Sequence, residues 1–126
     1  NTVLQVRRSR FTGPRQEFQP NAQKGAFIHW EAFTDTGVTG EVRDSTFIGG
    51  IAGTTGGEAV SVTTSGTAPV KLVVRGSRFF RNGRVRSAGD AQGYGGALWL
   101  NGAHGEVREN FFCDNASAQG AAILSN

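Results

Sequence analysis

The fold class predicted by the 126-residue sequence is all-β: a right-handed parallel β-helix of about four coils. Three observations predict it. The first is a phrase stated four times: LQVRRSRF (Leu4 to Phe11), GEVRDSTF (Gly40 to Phe47), LVVRGSRF (Leu72 to Phe79) and GEVRENFF (Gly105 to Phe112). The copies share the template x-x-Val-Arg-x-Ser/Asn-x-Phe, and their closing Phe residues lie 36, 32 and 33 positions apart. A near-constant period is the mark of stacked repeats. The second is another recurrent element between the phrases: KGAFIHW (Lys24 to Trp30), GEAVSVT (Gly57 to Thr63), GGALWLN (Gly95 to Asn101) and QGAAILSN (Gln119 to Asn126). Each is a Gly-rich turn, a small residue and a run of strand character. The third is the lack of any long stretch with apolar positions at helical spacing.

A single β-helix domain, 1–126, or a fragment of a longer one follows, with coils at roughly 1–38, 39–70, 71–103 and 104–126. Each coil is expected to read strand, turn, strand with variable loops between, the Val-Arg phrase supplying the first strand and the Gly-rich element the turn and the second. Aligning Ala26, Ala59, Ala97 and Ala122 sets the expected register of that last strand. A propeller blade needs a longer repeat, and a leucine-rich repeat needs its Leu/Asn frame, which is absent.

Equivalent positions of successive coils stand about 4.8 Å apart in such a fold, so the alignment becomes columns. Phe11, Phe47, Phe79 and Phe112 form an expected interior aromatic stack, with Val6, Val42, Val74 and Val107 beside it. Ser9, Ser45, Ser77 and Asn110 form a polar column at the turn, where side chains bond the neighbouring coil's backbone. Arg7, Arg43, Arg75 and Arg108 follow the inward Val, so alternation puts them outside, where Glu41, Asp44, Glu106 and Glu109 offset their repulsion.

Composition agrees with a folded chain: 37% hydrophobic and 18% charged, with 19 Gly, three Pro and nine Phe against one Tyr. Collagen is excluded, since the glycines have no period of three. The net charge of +3 comes from 13 Lys and Arg against 10 Asp and Glu, a modest excess that suits a solvated surface or an acidic partner. No apolar run reaches the roughly 20 residues of a membrane span. A start at Asn1 and the absence of Met suggest a processed or excised product, and Cys113 alone makes no internal disulfide.

The residues resemble a known group. Phe79-Phe80-Arg81-Asn82 followed by Gly95-Gly96-Ala97-Leu98, and Phe112-Cys113-Asp114-Asn115 followed by Gly120-Ala121-Ala122-Ile123, are similar to the repeats of chlamydial polymorphic outer-membrane proteins and related autotransporter passengers. The first two coils depart from that pattern, lacking the Asn after Phe11 and Phe47. The resemblance implies a secreted or displayed β-helix that serves as an adhesin, a passenger or a carbohydrate-active enzyme.

Many β-helices cleave polysaccharides, but no catalytic constellation is expected here. Asp44 and Glu109 share a column two coils apart, with Gly76 between them, and nothing else converges on them. The Asn-Thr-Asp, Asp-Asp and Arg-x-Lys segments of pectin hydrolases are missing, and Ala103-His104-Gly105 is a faint echo of their Gly-His-Gly. Asp35, Asp90 and Asp114 are scattered, and His29, His104 and Cys113 lack ligand spacing, so neither a metal nor a cofactor is expected.

Function on a regular scaffold is carried by loops, and the longest runs are Thr12 to Lys24 and Arg81 to Tyr94. Arg81, Arg84 and Arg86, with Tyr94 and Trp99 nearby, combine charge with aromatic faces and suit an acidic glycan or other polyanion. Asn115-Ala116-Ser117 is a sequon, which makes Asn115 a possible glycosylation site. No polar cap is visible at either end, so the stack is expected to be uncapped or part of a longer one. Its partners are then further coils or other protein chains at the open ends and acidic glycans, with no nucleic acid. The expected function is an extracellular or cell-surface structural and adhesive module of a larger assembly. The alternatives are part of a lyase- or hydrolase-like polysaccharide enzyme, or a subunit stacking end to end into filaments.

Overall fold

A computed structural model describes residues 2–13, 27–50, 59–83, 96–117, 120 and 122–125. Twelve strands are found among them. They are β1 (Thr2–Arg7), β2 (Arg10–Thr12), β3 (Ile28–Ala32), β4 (Val38–Arg43), β5 (Thr46–Ile48), β6 (Val60–Thr64), β7 (Val70–Arg75), β8 (Arg78–Phe80), β9 (Leu98–Asn101), β10 (His104–Arg108), β11 (Phe111–Cys113) and β12 (Ile123–Ser125). The described residues contain no helix.

The strands pair into three four-stranded sheets, ordered β1-β4-β7-β10, β2-β5-β8-β11 and β3-β6-β9-β12, and every pairing is parallel. Each run of three strands therefore makes one coil, and each coil lies on the one before. The chain is a parallel β-helix.

Two tight corners bend each coil, and sequence decides where they fall. The first follows the Arg column, where Arg8, Asp44, Gly76 and Glu109 all take positive φ, from 48° to 62°. The residue after it is the Ser/Asn column, which closes the corner by bonding between coils. Ser9 N–H donates to Ser45 Oγ at 3.2 Å, Ser45 N–H to Ser77 Oγ at 3.2 Å, and Ser77 N–H to Asn110 Oδ1 at 2.8 Å. Each Ser hydroxyl in turn donates to the carbonyl two residues back, as Ser45 Oγ does to Arg43 O at 2.8 Å.

The second corner follows the Phe strands, with Gly49, Arg81 and Asp114 at positive φ. After them stand Gly50, Asn82 and Asn115. Gly50 N–H donates to Asn82 Oδ1 at 3.0 Å and Asn82 N–H to Asn115 Oδ1 at 3.1 Å. The side-chain amides reach back a coil, Asn82 Nδ2 to Phe47 O at 3.2 Å and Asn115 Nδ2 to Phe79 O at 3.0 Å. Corner backbone that no strand satisfies is thus satisfied by side chains.

The interior is a set of columns. Phe11, Phe47, Phe79 and Phe112 stack face to face, with ring centroids 4.9, 5.0 and 4.9 Å apart and ring planes within 7° of parallel. That separation follows the strand spacing of about 4.8 Å, so the sheet holds the rings at stacking distance. Val6, Val42, Val74 and Val107 pair in register beside them. Phe47, Phe79, Val42 and Val74 are fully buried, whereas their counterparts in the outer coils are partly covered.

Large and small residues alternate across the core. Leu4, Gly40, Leu72 and Gly105 form one column. A Cβ at Gly40 would fall 2.5 Å from the Trp30 ring, and one at Gly105 would fall 2.4 Å from Leu100 Cδ1. Both glycines are therefore small because the last strand of the preceding coil fills their space.

The third sheet keeps Ala59, Ala97 and Ala122 level as the Ala alignment expects, and departs from it by one residue in the first coil. Ile28 pairs with Val60, which pairs with Leu98, which pairs with Ile123. Phe27, and not Ala26, therefore stands level with Ala59, Ala97 and Ala122. Its ring lies 5.8 Å from Phe11 and 6.3 Å from Phe47, and that packing sets the register. Ala26 itself lies outside the described residues.

Candidate functional site

Three outer faces are available, one per sheet, and they differ in how their charges are met. On the first sheet the Arg column is neutralised across coils. Glu41 accepts from Arg7 and from Arg43, each at 3.0 Å, and Arg75 pairs with Glu109 at 2.9 Å. Glu106 takes Arg108 at 3.1 Å and Lys71 at 2.5 Å. The bonds from Arg7 and Arg43 hold the Glu41 carboxyl below its ordinary value, and the bond from Lys71 does the same for Glu106. Arg75 is shifted upward by its hydrogen bond to Glu109. This face has already found its counter-charges.

The second sheet presents a different surface. Its strands are three residues long with the Phe inward, so the residues before and after the Phe point out. One row reads Arg10, Thr46, Arg78 and Phe111, and the next reads Thr12, Ile48, Phe80 and Cys113. No acid stands in either row. Arg10 and Arg78 are exposed and, among the described residues, form no ion pair, while Phe111 is 53% exposed with its ring 5.4 Å from that of Phe80. Arg8, exposed at the adjoining corner, adds a further cation.

The third sheet carries a polar row. Ser61 Oγ lies 2.5 Å from His29 Nδ1, and His29 Nε2 lies 2.9 Å from Glu31 Oε1. With the proton on Nε2, the ring donates to Glu31 and accepts from Ser61, satisfying both contacts. The order serine, histidine, carboxylate is that of a nucleophilic triad, but Ser61 is 1% exposed and offers no open oxygen. Its role here is to tie β3 to β6.

Of the residues expected to bind a polyanion, Arg84, Arg86 and Tyr94 lie outside the described residues. Arg81 stands just beyond β8 at the second corner, 67% exposed, with Asp114 at 3.6 Å. Trp99 belongs to β9 in another sheet, half-buried and level with Ser61 and Leu124. The Asn115 amide is engaged in the corner, donating to Phe79 O and accepting from Asn82.

The row of Arg10, Arg78 and Phe111 was missed by reading charge in loops. Its signal is present in the repeated phrase, because the position before the inward Phe must face out. Among the described residues, no three His, Cys, Asp or Glu side chains gather to hold a metal, and no helix is long and apolar enough to cross a membrane. Compared with protein-family models, with curated proteins and with solved structures, the chain has no match.

Proposed function

We propose that the chain is an extracellular structural and adhesive β-helix module, of the type resembling polymorphic outer-membrane protein repeats, that meets acidic glycans through its second sheet. One observation carries this reading: the cations of the first sheet are paired, whereas Arg10 and Arg78 share an acid-free face with an exposed Phe ring. Arg10 and Arg78 stand two coils apart in one straight row, about 9–10 Å. A linear chain of carboxylated or sulfated sugars laid along the stack meets a guanidinium, a hydroxyl, a second guanidinium and an aromatic ring in turn. Guanidinium forks suit carboxylate and sulfate, and the ring offers an apolar face to a sugar.

Binding to immobilised heparin and polygalacturonate, with dextran as the neutral control, tests the reading. The unmodified chain is expected to bind the acidic polymers more weakly as salt rises. Arg10→Glu with Arg78→Glu is expected to lower affinity by ~10-fold or more. Arg75→Ala, on the paired face, is expected to leave it within about twofold. Equal binding by the double variant rejects the second sheet as the contact face. Release of new reducing or unsaturated ends from the polymer replaces the adhesive reading with an enzymatic one.

A further inference from the structure

We propose that the second sheet selects an alternating acidic glycan, an extended chain of equatorially linked rings with an acid on every second ring and uncharged rings between. This rests on the second sheet being the glycan contact face, and adds which glycan that face takes. What carries it is the period of charge along the stack, which is two coils and not one.

The outward row before the inward Phe reads Arg10, Thr46, Arg78 and Phe111, held level by the pairing of β2, β5, β8 and β11. A repeat that copied itself throughout would put a cation in every coil, as the first sheet does with Arg7, Arg43, Arg75 and Arg108. In the second sheet a cation stands in the first and third coils, and a hydroxyl replaces it in the second. Arg10 and Arg78 are exposed, and Thr46 between them is half-buried. The parallel row of Thr12, Ile48, Phe80 and Cys113 adds no charge.

The corner bordering this row repeats the pattern. Its positive-φ position is Arg8 in the first coil, Asp44 in the second, Gly76 in the third and Glu109 in the fourth. The first coil therefore brings two cations to this edge, Arg8 and Arg10. The second brings Asp44 and no cation. The third brings Arg78 and no corner acid, and the fourth brings Glu109, already held by Arg75. Asp44 is exposed, so an acid laid against the second coil meets a like charge in place of a guanidinium.

Distance turns this pattern into a choice of ligand. Two strand spacings set Arg10 and Arg78 about 9–10 Å apart. Each ring of an extended, equatorially linked sugar chain advances by close to one strand spacing, so the two guanidinium groups stand opposite every second ring. The ring between them faces Thr46, whose hydroxyl can donate to or accept from an uncharged sugar. The next uncharged ring meets Phe111, 53% exposed and backed by Phe80 at 5.4 Å. Acid, neutral, acid, neutral in the glycan is thus met by Arg, Thr, Arg, Phe. A chain with an acid on every ring sets one carboxylate over Thr46 and beside Asp44, where no cation of the row neutralises it.

Affinities for two oligosaccharides of equal length test the choice. One is cut from hyaluronan, with an acid on every second ring, and the other from polygalacturonate, with an acid on every ring. Attraction governed by charge density alone ranks the galacturonate first. Wild type is expected to bind the hyaluronan oligomer at least as tightly. Thr46→Arg with Arg78→Thr keeps the number of cations, alters no fully buried residue and halves the spacing of the pair. That variant is expected to bind the hyaluronan oligomer ~10-fold or more weakly and to prefer the galacturonate. Circular dichroism that matches wild type shows that it folds. Tighter binding of galacturonate by wild type, or a preference unmoved by the exchange, overturns the alternating glycan and leaves the second sheet as a contact face for acidic chains in general. Binding of neither oligomer by wild type, or undiminished binding by Arg10→Glu with Arg78→Glu, removes that contact face and the choice of glycan with it.

Discussion

Asn82 shows how one side chain holds two coils together. It is fully buried, and its amide serves the N–H of Gly50, the carbonyl of Phe47 and the oxygen of Asn115. Asn82→Ala strands the buried Gly50 N–H and removes a second bond to the Phe47 carbonyl, and is expected to cost about 2 kcal/mol in urea unfolding, since a stranded buried group costs about 1–3 kcal/mol. Asn115→Ala, at a half-buried site, is expected to cost less, and a larger loss at Asn115 than at Asn82 contradicts the ladder. The Phe-x-x-Asn phrase was legible in the sequence as a resemblance; its physical cause is this corner. The Ser column was legible outright, because a short hydroxyl beside a turn has backbone within reach. The Ala alignment holds at three coils and departs at the first, where the Phe27 ring packs with Phe11 and Phe47 in the position that Ala fills elsewhere.

At the scale of the element, the first sheet is a row of exposed strand surfaces tied by carboxylates. Glu41 and Glu106 titrate below their ordinary value of 4.5 because the folded sheet brings cations to them. A lowered folded value means that their contribution is complete above about pH 4.5 and is lost as pH falls through the folded value. Thermal midpoints are therefore expected to hold steady between about pH 7 and 5 and to fall below that. Glu41→Gln with Glu106→Gln is expected to flatten part of the fall, and an unchanged acid limb in that variant contradicts these pairs as its source. Added salt acts in the same direction, since exposed pairs are screened. The outward Arg column of this sheet was readable from alternation alone. The acid-free row of the second sheet followed from the same alternation, but it is split among three-residue strands and becomes a surface only when the coils are stacked.

For the whole molecule, stability is a property of neighbours. Among the described residues of the 126-residue chain, β4 and β7 lie between two strands each, while β1 and β10 have one, and the fully buried core residues belong largely to the two middle coils. In a quasi-one-dimensional stack this sets a gradient of opening. Amide exchange is expected to be slowest in β4 and β7 and faster in β1 and β10, and uniform protection across the four strands contradicts it. Coil number was legible because the period was stated four times, whereas the third strand of each coil was not, since the bend at Arg8, Asp44, Gly76 and Glu109 splits the Val-Arg phrase at a single corner. The alternation of Leu4, Gly40, Leu72 and Gly105 carries one more meaning. It gives the stack a parity, with odd and even coils that are not interchangeable although their phrases read alike. Duplicating a single coil would bring two residues of the same size together, overfilling the interior or leaving it hollow. A chain of this kind can lengthen or shorten cleanly only by two coils at a time.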